Sequence, residues 1–175
     1  MKPFLLILCL SISPLANGQD AKAPPTLKSI LLAQLRSTHN VAEWFVPANT
    51  AVAGLTAEQA NWKDGHGNHS VMELASHLIF WDERSFVQFK GGKPPKFDGN
   101  NEETFQSQQN WDSTVHKLDE VLTDWEKAVE AADDSKLQKW YSTIAHIGTH
   151  NAYHIGEIVY VRREQGSWNP ANGVH

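Results

Sequence analysis

The stretch His146-Ile147-Gly148-Thr149-His150-Asn151-Ala152-Tyr153-His154-Ile155-Gly156-Glu157 decides how the chain is read. Its three histidines recur every fourth residue, and on a helix residues four apart are neighbours on one face. With His150 at zero and ~100° per residue, His154 falls at about +40°, His146 at about −40° and Glu157 at about −20°. Ile147 and Ile158 flank this stripe on one side, Tyr153 and Tyr160 on the other. The spacing therefore predicts a helix whose imidazoles lie among large apolar and aromatic side chains.

The opposite face carries Ala145, Gly148, Ala152, Gly156 and Val159, small enough for another helix to pack closely behind. Enclosed histidines must find hydrogen-bond partners or a metal. A lone interior histidine is usually satisfied by hydrogen bonds, but an i, i+4 pair can converge on one ion. His146 and His154 stand ~12 Å apart along the axis at ~1.5 Å per residue. One adjacent pair plus a ligand from a different helix is therefore the natural set.

The N-terminus, Met1-Lys2-Pro3 followed by an apolar run to Leu10 and a small-residue exit at Ala16 and Gly18, reads as a secretory signal peptide. The run is too short to span a bilayer. The expected divisions are 1–18 signal peptide, 19–25 leader, 26–166 helical domain and 167–175 tail, with export to the periplasm or outside the cell. Cleavage would remove Cys9, the only cysteine, so metal chemistry would rest on histidines and carboxylates. It would also remove Lys2, the peptide's only charged residue, moving the formal charge from −5 to −6. An acidic chain without a basic run argues against a nucleic-acid partner. After cleavage no membrane association is expected.

From Thr26, apolar residues at helical spacing run from Leu27 to Val52, with a kink or break expected at Pro47. His39 lies on that inner stripe as a reserve ligand, although a half-buried helix histidine is the plainer reading. Gly54 to Asn68 reads as a connection, with Trp62 folded back on the core and His66 and His69 exposed. Ser70-Val71-Met72-Glu73 is a capping box that opens a second helix, which runs to Gly91-Gly92. His77 borders its apolar face and is the best placed partner for a histidine pair elsewhere, with Glu73 as cap or as acceptor for His77. After the loop Lys93 to Asn101, a short segment near 102–109 leads to a third helix from Trp111 to about Ala132. His116 lies off its stripe, toward solvent. Lys136 to Tyr141 reads as a link to the fourth helix, Thr143 to Gln165, which Gly166 would end. Four long helical patterns without a convincing strand predict an all-α four-helix bundle.

These residues resemble the DinB/YfiT-like family of four-helix bundles, described as metal-dependent hydrolases or thiol S-transferases. The resemblance covers about Leu27 to Gln165. It is carried by Trp62, by Ser70 to Leu78 around His77, and by His146, His150, His154, Gly156 and Glu157. It implies one metal-ligating histidine in the second helix, His77, and two in the last, His150 and His154. Where the family often has Arg-Gly-Gln after the last ligand, this chain has Ile155-Gly156-Glu157. Where it commonly has an aromatic residue before the serine, this chain has His69.

Three neutral imidazoles leave a coordination position open for water or substrate, as in catalytic sites. The expectation is an exported metal-dependent hydrolase acting on a small molecule of unknown identity. Its cofactor would be a divalent metal ion, Zn²⁺ or Ni²⁺, both of which suit imidazole. Glu157 is the candidate catalytic base, with ligand orienter or fourth ligand as its other roles. The alternatives are a non-catalytic exported metal-binding or stress-related protein, or a thiol S-transferase-like enzyme, although export would separate the latter from cytosolic thiols. Exposed apolar helix area would support a homodimer.

Overall fold

Each long helix begins at a side chain that caps it. Thr26 accepts from the Ser29 backbone at 3.1 Å, Ser70 from Glu73 at 3.2 Å, Asn110 from Ser113 at 2.9 Å and Asp133 from Lys136 at 2.8 Å. Such caps satisfy amide groups that have no partner inside the helix. The structure is a computed structural model that describes residues 24–107 and 109–173. The expected signal peptide, with Cys9, lies outside the described residues.

The regular elements among the described residues are all helices: α1 (Leu27–His39), α2 (Ala48–Val52), α3 (Ala57–Ala60), α4 (Val71–Phe89), α5 (Trp111–Ala131) and α6 (Asp134–Glu164). Two 3₁₀ turns, Asn101–Phe105 and Pro170–Asn172, complete the order. Both α1 and α4 pack against α5 and α6, so the four long helices close a ring around one core. Trp125, Leu74, Leu78, Leu118, Ile144 and Ile158 are fully enclosed there. The small face of α6 meets α1 as expected at Gly148, where an added Cβ would lie 2.7 Å from Gln34 Cγ. Gly156, two turns on, has nothing within 4 Å, so that part of the face is open.

Three boundaries differ from the sequence reading. The first helix stops at His39, with Asn40 as its cap, and not near Pro47, which instead opens the short α2. A four-residue helix, α3, lies inside the expected connection, with Thr56 and Gln59 forming its capping box. The expected link Lys136 to Tyr141 is the first part of α6, because Asp133 caps a helix that starts two residues after α5 ends at Ala131 and its cap Ala132. At its far end, Gly166 adopts φ +78°, the left-handed conformation that closes a helix. The following segment folds back, with Arg162 donating to Ala51 O at 2.6 Å and Ser167 O at 3.0 Å.

Because Asp133 alone caps the start of α6, Asp133→Ala should lower stability by about 1 kcal/mol in urea denaturation. An unchanged midpoint would assign the start of α6 to packing.

Candidate metal centre

The capping box places α4 so that His77 faces α6. Glu73 Oε2 accepts from the Ser70 backbone at 2.8 Å, and Glu73 Oε1 pairs with Lys63 at 2.7 Å. Both carboxylate oxygens are thereby used, and the acceptor for His77 is a different residue. It is Thr104, in the 3₁₀ turn, whose Oγ1 lies 2.5 Å from His77 Nδ1. Thr104 donates its own hydroxyl hydrogen to Asn101 O at 2.6 Å. Its lone pair must then accept, so His77 Nδ1 carries the proton and its Nε2 presents a lone pair.

The same logic holds across the site. His154 Nδ1 lies 2.6 Å from Glu157 Oε2, so it donates and leaves the Nε2 lone pair inward. The Nε2 atoms of His77 and His154 each lie 3.1 Å from Nε2 of His150. One proton on His150 Nε2 can satisfy one of these two lone pairs, not both. A cation resolves this conflict. Two nitrogens at about 2.0–2.1 Å from a tetrahedral zinc stand about 3.3–3.4 Å apart, close to the spacing observed. His77, His150 and His154 are the only group of three or more metal-binding side chains with ligand atoms within 4.8 Å among the described residues. They therefore fit a metal ion.

Burial holds the rings in the form a metal needs. His77 is pushed down to about 3 by burial first, then by the nearby His154, His150 and His69. His150 is lowered to about 4 by burial and His154, with Glu157 opposing. Both are neutral at pH 7, so protons compete little for their nitrogens. Flat rings close one side: Phe105 stacks on His77 at 4.0 Å, and His69 stacks on Phe105 at 3.7 Å. His69 is thus half-buried, not exposed, and supplies the flat ring that the resemblance expected from an aromatic residue.

The other side opens into a cleft of about 560 Å³ lined by the three histidines, Trp81, Asp82, Ser85, Thr143, His146 and Tyr153 among others. His146 lies on this lip, exposed and outside the ligand set. Glu157, the candidate base, lies with its Oε2 2.6 Å from the outer nitrogen of His154. His66 and His116 are exposed. His39, 2% exposed, is fully buried where half-burial was expected; its nitrogens lie 2.5 Å from Glu126 and 2.9 Å from Asp119, which tie α1 to α5. Sequence reasoning missed Thr104, Phe105 and Asp82. For Thr104 the only local signal was the capping pattern Asn100-x-x-Glu103 that forms its turn.

A family model described as the DinB superfamily matches residues 47–158, well over half the chain and inclusive of all three histidines. The chain belongs to the DinB superfamily. No curated protein and no solved structure matches it.

Removing the outer acceptors should loosen the rings. Thr104→Val and Glu157→Ala should each weaken zinc binding by roughly 10–100-fold in a chelator competition titration, with Glu157→Gln recovering most of the loss because it keeps an acceptor. Equal affinities in all three would remove the orienting role.

Histidines held below their ordinary 6.5 take up protons more readily when unfolded. Their contribution to the metal-free fold is complete above about 6.5 and lost as pH falls toward about 3–4. Melting temperatures of chelator-treated protein should therefore drop across that window, and less so in His77→Ala. A pH-independent difference between the two proteins would contradict the burial of His77 as a neutral ring.

Proposed function

We propose that the chain is an exported metal-dependent hydrolase of the DinB/YfiT-like four-helix-bundle type, using His77, His150 and His154 to hold a divalent ion. The observation that carries the reading is the pair of inward lone pairs: His77 and His154 are both locked by acceptors outside the site, with their Nε2 atoms facing His150. Hydrogen bonds among the rings alone leave one of them unmet. Export rests on the signal-like residues 1–18.

An ion held there supplies Lewis acidity toward a water or a substrate carbonyl. Thr104 and Glu157 keep two rings in the tautomer and orientation that present Nε2. Phe105 covers the face of His77 and excludes water from that side. Trp81 and Tyr153 wall the cleft from which substrate would approach. Glu157 acts in this reading as an orienter, since its carboxylate is engaged by the far nitrogen of His154. The open cleft beside the ligands favours turnover over simple storage, which would be served by a closed coordination shell.

The test is the metal content of residues 19–175, prepared without a histidine tag, beside His77→Ala and the double variant His150→Ala/His154→Ala. About one Zn²⁺ or Ni²⁺ per chain is expected, lost in both variants while the helical circular dichroism persists. Metal-dependent cleavage of ester or amide substrates, absent from the same variants, would complete the case. Reconstituted protein that holds no metal would sink it.

A further inference from the structure

Asp82 follows His77 by five residues on α4, and Asn151 follows His150 directly on α6. Both are enclosed, at 1% and 0% exposure. Asn151 Nδ2 donates to Asp82 Oδ2 at 3.0 Å, while Asp82 Oδ1 has no hydrogen-bond partner. A buried carboxylate oxygen without a donor bears an uncompensated desolvation cost, so such an atom calls for an explanation. Asp82 lines the cleft that opens beside the three histidines.

The rest of that cleft narrows the chemistry. Its lining residues include no lysine or arginine, so away from an ion held by the histidines the cleft offers neither of these cations to a phosphate or carboxylate. Trp81 and Tyr153 supply aromatic walls, and Ser85 and Thr143 supply hydroxyls further along. The chain as a whole is acidic, with a formal charge of −5, which disfavours anions at a distance as well.

We infer that the cleft selects substrates bearing a primary amine or similar cationic N–H group, which donates to Asp82 Oδ1 once the side chains that enclose that atom give way, while the rest of the molecule lies against Trp81 and Tyr153. This rests on the proposed function only in taking the histidine end of the cleft as the reacting end. Asp82 is then a specificity residue, an anchor for the part of the substrate that does not react. Burial pushes its carboxyl up to about 7, opposed by the Asn151 hydrogen bond. A bound ammonium would offset that burial by favouring the charged carboxylate.

The test is calorimetric titration of the zinc-loaded protein at about pH 8, where benzylamine is a cation, with benzylammonium, benzyl alcohol and benzoate as probes. Benzylammonium should bind tightest, and Asp82→Asn should weaken it by about tenfold or more while leaving benzyl alcohol unchanged. The variant is expected to fold. With a folded value raised from 3.8 to about 7, Asp82 loses its favourable contribution as pH rises through that range, so removing the charge relieves the interior at pH 8. A repeat on chelator-stripped protein separates the two readings. Preference retained without metal but lost in Asp82→Asn supports Asp82 as anchor, even if the metal centre were disproved, and preference retained in both overturns it. Preference that vanishes on stripping and is indifferent to Asp82→Asn means that the amine ligates zinc, which overturns the inference. So does equal binding of the three probes by wild-type protein, whatever the variant does.

Discussion

The Nε2 atoms of His77 and His154, each brought to 3.1 Å from that of His150 between α4 and α6, constrain much of what surrounds them. Burial disfavours the charged form of two of these rings, His77 and His150. Neutral rings have one donor and one acceptor each, so the direction of every proton matters. Thr104 and Glu157 draw protons outward on two of the rings. The lone pairs then point inward at the third. This requires α4 and α6 to pack in a register that sets His77 opposite His150, and the 3₁₀ turn to seat Thr104 at the outer edge of His77. The turn's position is secured by the Phe105 ring, stacked between His69 and His77.

Much of this was legible in the residues. Apolar spacing and the Ser70–Glu73 box located α4, and the i, i+4 histidines located the working face of α6. Spacing left the choice of histidine pair open, and family resemblance pointed to His150 and His154. The geometry brings those two together with His77 and leaves His146 one turn away, on the lip of the cleft. The start of α6 was misread for a local reason. Asp133-Asp134-Ser135-Lys136 has the polarity of a loop, yet it is a cap and first turn, with Leu137 buried at 1% directly behind it. The end of α1 was misread for a non-local one. Pro47 is the obvious breaker, but the chain leaves the helix at Asn40, where His39 is seated against two carboxylates of α5.

The groups that complete the site belong to the same non-local class. Thr104 is 27 residues from His77 and Asp82 is 69 from Asn151, and each pair meets only because two elements pack. Periodicity reports which face of a helix is apolar; it carries no information on which polar side chain across the gap will accept a proton. Asp82 was hidden for a further reason. It follows Trp81 within an otherwise apolar helical face, where an acid looks like a residue turned to solvent, and only packing encloses it.

The contrast between His39 and the three clustered histidines separates structure from function in this chain. His39 is as enclosed as His77, both at 2% exposure, so burial alone does not distinguish them. The difference is the fate of the second ring nitrogen. Both nitrogens of His39 face carboxylate oxygens, Glu126 on one side and Asp119 on the other, and nothing is left over to bind a cation. In the cluster, His77 and His154 each have one nitrogen engaged by a residue outside and the other facing only a further imidazole. A histidine whose two nitrogens are both met by acids serves as a crosslink between helices. One that donates outward and faces only another imidazole inward keeps a nitrogen that could bind a metal ion, and that nitrogen is what the packing of α4 against α6 brings to the cluster.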